Sequence, residues 1–237
     1  MSGAARAQVG IFAATHPGAD APRPLPRGRH GLSRDVVLLS QRSRLLDGMV
    51  HAVADRGYGA ATVADALRHA GVSRATFYEH FADKEDCFCA AYAAGARVHH
   101  TKVMHAVAVE PDAHQRLRAG TAAYLDVLEE HPAYARAFLI EVAAAGPRAA
   151  ELRAAALRRY VRMLKQWYAR ERRQNARLRP LPESVFVAYV VGSNGLVTAR
   201  LRRSAPRLRE LLPVLMYLQL SLFGMHDEAV AALEDSR

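Results

Sequence analysis

From Asp35 onward apolar residues recur at intervals of three and four, and no alternating run bounded by turn residues appears. The pattern predicts an all-α chain. The first helix carries Leu45, Leu46, Met49, Val50 and Val53 on one face and ends at "DRGYGA", where Gly57 supplies the stop. Thr62, with Asp65 three residues on, is a capping-box variant that opens a second helix. Val63, Ala66 and Leu67 form its short apolar face, and Gly71 its left-handed end. Ser73 is suited to cap a third helix, Arg74 to Phe81, and Asp83 with Asp86 a longer fourth running from Lys84 towards His99. Two short helices joined by a tight glycine turn and braced by a preceding helix are the parts of a helix-turn-helix.

Breaks at His131-Pro132, Gly146-Pro147, Arg179 to Pro182 and Ser204 to Pro206 cut the remainder into longer helices. The expected organisation is a flexible arm over 1–35, rich in proline and arginine, a helix-turn-helix domain over 36–84, a larger helical domain over 85–226, and a C-terminal tail over 227–237. Ser184 to Ala199 and Leu211 to Met225 are charge-free but shorter than the roughly 20 residues that span a bilayer, and they read as buried helices. In the segment 148–178, Leu157, Tyr160, Val161, Leu164 and Tyr168 share one face, opposite Arg158, Arg159, Arg162 and Lys165; the basic side reads as a solvated face or a secondary anion-binding surface.

Charge adds a partner to this picture. The formal net charge is +10, which makes a polyanion the first partner to consider. Cys87 and Cys89 stand at i and i+2 of a helix, point to different sides, and read as structural thiols in a reducing compartment. The apolar piece "VGIFAA" is too short for a secretion signal, so a cytoplasmic location is expected. No nucleophile elbow, zinc-protease motif, phosphate-cradling loop or dinucleotide fingerprint occurs, which argues against an enzyme and calls for no cofactor. His99, His100 and His105 lack a carboxylate or thiol at ligand spacing, and no metal site is expected there.

If Phe77 and Phe81 pack inward, then Arg74, Tyr78 and Glu79 lie outward, with Ala75 at the edge. Such a helix suits a DNA groove: arginine can bond a guanine edge twice, Thr76 can meet a thymine methyl, and a phenol can reach a phosphate. Lys84, in the first turn of the next helix, is placed to meet backbone phosphates. The stretch "TVADALRHAGVSRATFYEHFADKEDCFCAAY", Thr62 to Tyr92, resembles the DNA-binding half of the tetracycline-repressor (TetR) family of bacterial transcriptional regulators, with the likeness running from Gln41 to Tyr92. The resemblance implies that Arg74, Ala75, Thr76 and Tyr78 meet bases or flanking phosphates. It also implies that Thr62, Ser73, Tyr78, His80 and Lys84 hold the backbone, although His80 can equally pack inside. In the arm, Arg27 and Arg29 are candidates for tracking a minor groove, against the alternative of a disordered basic tail.

The resemblance further implies a second half that binds a small-molecule ligand and dimerises. Ala188, Gly192, Gly195 and Ala199 form a strip of small residues on a charge-free helix, and together with Val214, Leu215, Leu218 and Leu222 they suggest a two-fold four-helix contact; an intrasubunit core is the competing explanation. Tyr124, Phe138, Glu141, Met163, Trp167 and Tyr189 are the candidate ligand-lining residues. The functional expectation is a homodimeric repressor, released from a palindromic operator in double-stranded DNA by a small molecule, with no membrane partner. The alternative is a DNA-binding or architectural protein with no effector.

Overall fold

A computed structural model describes residues 11–12, 34–203 and 207–234. Among the described residues the chain is helical without a strand: α1 Arg34–Arg56, α2 Val63–Ala70, α3 Arg74–His80, α4 Lys84–Ala108, α5 Ala113–Glu130, α6 Pro132–Leu139, α7 Pro147–Gln174, α8 Glu183–Leu201, α9 Leu212–Leu222 and α10 His226–Glu234. Short 3₁₀ turns, Glu141–Ala144 and Leu208–Leu211, precede α7 and α9. Where a tail was expected beyond residue 226, α10 folds and buries Ala229.

The chain divides into two compact units. The first comprises Met1–Val98 and His131–Ala150, the second His99–Glu130 and Glu151–Arg237. In the first, α1 turns the predicted face, Leu45, Leu46, Met49, Val50 and Val53, into the core. Gly48 explains how closely α1 and α2 approach: a Cβ there would stand 2.4 Å from the Ala66 carbonyl oxygen. Gly57, at φ 76, turns the chain out of α1. The Tyr58 N–H that follows donates to Glu141 Oε2 at 3.1 Å, and Arg136 lies 3.6 Å from the other carboxylate oxygen. Phe138 is enclosed by Phe88, Tyr92 and Tyr134, with ring centroids at 5.6, 4.9 and 4.7 Å. The expectation that Glu141 and Phe138 line a ligand cavity is therefore corrected. One latches a loop to a 3₁₀ turn, and the other fills an aromatic core in the unit that holds the helix-turn-helix.

The arm expectation also changes at one point. Ile11 and Phe12 are buried, and the Phe12 N–H donates to the carboxylate of Asp47 in α1. Apolar surface removed from water at these side chains offsets the entropy of ordering that short piece of chain.

In the second unit, Tyr168 donates its hydroxyl to the Arg179 carbonyl at 2.8 Å and packs with Phe186 and Phe223, centroids 5.6 and 5.5 Å away. Helix α8 is the described helix long and apolar enough to cross a membrane by length and composition, yet only 28% of that window is buried in the chain. Its inner face, Phe186, Tyr189, Val190 and Val197, joins the core; the opposite face, including Val187, Val191 and Leu196, is open. Burial of α8 on all sides, expected from its composition, is not achieved within one chain. Leu215, expected at the subunit contact, is wholly buried in its own chain, whereas α9 turns Val214, expected there too, outward beside Tyr217.

Two outcomes follow for the first unit. Burial pushes the Asp47 carboxyl up to about 7, opposed by the Phe12 N–H. The folded chain thus keeps a proton that the unfolded chain releases near pH about 4, and stability falls as pH rises from there through about 7. Asp47→Asn flattens that decline in urea titrations across the same pH range. Gly48→Ala forces α1 and α2 apart and costs about 1–3 kcal/mol in the same assay.

Candidate nucleic-acid interface and effector region

The interface is built from the loop before α2 to the start of α4. Thr62 accepts the Asp65 N–H at 3.2 Å, while Asp65 Oδ2 accepts the Thr62 N–H at 3.0 Å and its hydroxyl at 2.7 Å, completing a reciprocal capping box. The Thr62 hydroxyl hydrogen bond is the main cause that holds the Asp65 carboxyl down to about 2, aided by Arg68 and Arg56 at 2.9 and 3.3 Å. At the other end of α2, Gly71 takes φ 61 and its N–H closes on the Leu67 carbonyl at 2.8 Å. Arg44, reaching from α1, donates through Nη2 to the Ala70 and Gly71 carbonyls at 2.5 and 2.6 Å. This guanidinium satisfies carbonyls that a helix end leaves without partners, and burial draws its pKa down from the usual value. Nothing in the spacing of Arg44 distinguishes it from any other polar residue of α1, so pattern reading passes over it.

Ser73 then caps α3, its hydroxyl accepting the Thr76 N–H at 3.1 Å and lying 2.9 Å from the Thr76 hydroxyl. Phe77 is 0% exposed and Phe81 3%, whereas Tyr78 is 51% exposed. Arg74 and Ala75 are exposed too, and the Arg74 guanidinium stands 5.9 Å from the Tyr78 ring centroid. An arginine and a phenol thus share the open side of a helix whose phenylalanines are dry.

One neighbouring expectation, for Lys84, is corrected, and for His80 the inward alternative is the one the structure favours. Lys84 Nζ donates to the Tyr58 and Ala61 carbonyls at 2.8 and 3.0 Å and lies 4.3 Å from the Tyr58 ring centroid. Its ammonium ties the start of α4 to the loop before α2 rather than standing free for a phosphate. His80 is half-buried beside Phe81, with Nε2 enclosed and without a hydrogen-bond partner. Burial first, and the charge of Arg42 second, lower its pKa, against the pull of Glu79. His80 faces the protein because it follows Phe77 by three positions and shares that side of α3. Arg42, over the Phe81 ring at 4.7 Å, is a further brace that sequence reading missed. Arg27 and Arg29 lie outside the described residues.

Residues 45–91 match the family model for bacterial regulatory proteins, tetR family. That segment is a TetR-family DNA-binding domain. Over 109 residues it is 33% identical to the HTH-type transcriptional activator FasR of Mycolicibacterium smegmatis, a match covering 45% of this chain and 48% of that one; the likeness thus spans about half the length of the curated relative. Among solved structures, the fatty acid degradation regulator FadR of Bacillus halodurans superposes with a TM-score of 0.68 at 20% identity, over 76% of this chain and 97% of its own. The FadR of Bacillus subtilis, solved in complex with stearoyl-CoA, gives a TM-score of 0.68 at 17% identity, over 75% and 97%. The structural likenesses show an all-helical fold shared with these proteins, and the family match shows a tetR-type DNA-binding segment within it.

Of the ligand-lining candidates, Tyr124, Met163, Trp167 and Tyr189 fall in the second unit. Tyr124 stacks on His99 with centroids 5.2 Å apart, and Tyr160 stands edge-on to His99 at 6.3 Å and His100 at 6.1 Å. Trp167 Nε1 and His100 Nδ1 are buried without hydrogen-bond partners. Tyr189 is different in kind: it is hydrogen-bonded to Thr121, and burial pushes its hydroxyl up to about 12. Thr121 in turn lies 3.4 Å from Gln219, giving a buried polar link among α5, α8 and α9. Among the described residues, no group of three or more histidine, cysteine, aspartate or glutamate side chains is placed to hold a metal ion.

The two sides of α3 separate in mutagenesis. Arg74→Ala and Tyr78→Ala leave thermal stability within about 0.5 kcal/mol of the parent. Each weakens binding to a selected DNA site by about tenfold, the scale of one specific contact, in a mobility-shift assay. Phe77→Ala instead costs about 3–5 kcal/mol in denaturation.

Proposed function

We propose that the chain is a homodimeric transcriptional regulator that binds a palindromic operator through α3 and changes its operator affinity on binding a long-chain acyl-CoA. The observation that carries the DNA half is the division of α3 into a dry phenylalanine side and an open Arg74–Tyr78 side. Arg74, Ala75, Thr76 and Tyr78 are assigned to bases and flanking phosphates. The exposed N-terminal turns at Thr62 and Ser73 are assigned to the DNA backbone, where free helical N–H groups favour phosphate. Such a complex works in the cytoplasm of a bacterium.

Dimerisation is supported by the uncharged open face of α8. Val187, Ala188, Val191, Gly192, Gly195 and Ala199 are exposed on it, and Leu218 of α9 comes within 3.9 Å of where a Gly192 Cβ would be. Apolar side chains of this size, left in water by one chain, are covered by a second copy of the same face. Two heads related by a two-fold axis read half-sites spaced by about 34–36 Å or a multiple of it.

The ligand half rests on the FadR neighbours, one of them solved with stearoyl-CoA. It also rests on the enclosed, unpartnered nitrogens of His100 and Trp167 in the second unit, which offer hydrogen bonds to a guest. The ligand acts by binding one separation of the heads better than another, and a tenfold shift in operator affinity needs about 1.4 kcal/mol of difference.

Selection of bound sequences from random duplex DNA tests this reading and is expected to return a palindrome. Palmitoyl-CoA, but not palmitate, then shifts the mobility-shift midpoint by about tenfold or more. A non-palindromic site, or indifference to palmitoyl-CoA, removes the corresponding half of the proposal. Val191→Glu places a charge in the proposed subunit contact. It is expected to yield a folded monomer in sedimentation and to abolish tight operator binding, since each head alone reads few base pairs.

A further inference from the structure

The outer face of α7 carries a feature that operator binding does not use. Arg159, Arg162, Gln166, Arg170 and Arg173 are all exposed, and their spacing of three and four residues aligns them on one side of the helix over about 21 Å. No acidic residue of α7 falls on that line. Two flanking cations are neutralised, Arg158 by Glu151 at 2.6 Å and Lys165 by Glu183, whereas none of these four arginines has an ion-pair partner among the described residues. Like charges one helical turn apart repel, so the stripe is stabilised by an anion laid along it.

At its N-terminal end the stripe meets the interior of the second unit. Arg159 is close enough to His100 to help burial hold that imidazole neutral, and His100 Nδ1 is enclosed without a hydrogen-bond partner beside the Tyr160 ring. A multiply charged surface that runs into a half-buried, uncharged polar group suits a ligand with a phosphorylated head and a neutral arm. A DNA backbone would engage the arginines alone.

We infer that the arginine stripe of α7 receives the phosphates of a coenzyme A thioester, with His100 and Tyr160 meeting the amide-bearing arm that leads to the acyl chain. The inference rests on the acyl-CoA reading above and assigns it a place. Guanidinium groups hold phosphate oxygens in paired, charge-assisted hydrogen bonds, so the nucleotide end supplies binding strength and orients the thioester inward.

The test uses the full-length protein and the fluorescence of its one tryptophan, Trp167, on the same helix. Free coenzyme A and palmitoyl-CoA are titrated into the parent, into Arg159→Gln/Arg162→Gln, and into Arg159→Lys/Arg162→Lys. The parent is expected to bind both ligands. The glutamine variant loses about tenfold or more for each, with a shallower dependence on salt, while the lysine variant keeps most of the affinity. Operator binding without ligand stays at the parent value in both variants. Equal affinity of parent and glutamine variant for palmitoyl-CoA overturns the stripe while leaving the acyl-CoA reading intact. Loss of operator affinity with coenzyme A binding unchanged reassigns the stripe to DNA. A parent that binds neither ligand overturns both, and one that binds coenzyme A through the stripe without any effect on the operator retires only the regulatory reading.

Discussion

A helix of seven residues does not hold its shape in water, because fixing its first turn costs more than its few hydrogen bonds return. Helix α3 exists because Phe77 and Phe81 are dry, and everything functional at the head depends on that burial. Once the two phenylalanines are committed, the pitch of the helix leaves Tyr78 and Glu79 on the open side, and Arg74 stays exposed at its first position. The approach to α3 is fixed as firmly: Gly71 takes a left-handed conformation, Arg44 binds the consecutive Ala70 and Gly71 carbonyls, and Ser73 starts the next helix. Local hydrogen bonds set the angle of presentation, and the phenylalanine contacts set the rotation.

The second unit obeys the same physics with the opposite result. Helix α8 has apolar surface on more sides than one chain covers, so Val191 remains 55% exposed. Where α3 leaves a polar side for DNA, α8 leaves an uncharged, small-residue side that suits another copy of itself. In the proposed dimer, contact through α8 and α9 would pair two short recognition helices, and their separation would be the quantity a ligand alters.

Charges near these surfaces divide according to whether a partner reaches them within the chain. Lys84 and Arg44 are drawn to backbone carbonyls and become parts of the scaffold, while Arg74 and the α7 arginines stay in solvent. A lysine in the first turn of a helix looks like a phosphate contact when only its position is known. Its role reverses when the Tyr58 and Ala61 carbonyls are found within reach of its ammonium. Glu141 reverses in the same way: an acid among apolar neighbours suggests a buried ligand contact, yet a loop N–H 83 residues away in the chain takes it first.

The sequence by itself determined the helical class, the α1 core face, the capping box at Thr62, the left-handed stop at Gly71 and the outward side of α3. Each of these depends on residues within one or two turns of one another. Only the tertiary structure decided that His80 and Leu215 face inward, that Phe138 belongs to an aromatic core, that Phe12 docks beside Asp47, and that half of α8 stays open. Those outcomes turn on which distant groups arrive first at a donor, an acceptor or an apolar face. Periodicity says that a side is apolar; it does not say whether the protein's own chain or a second copy will cover it.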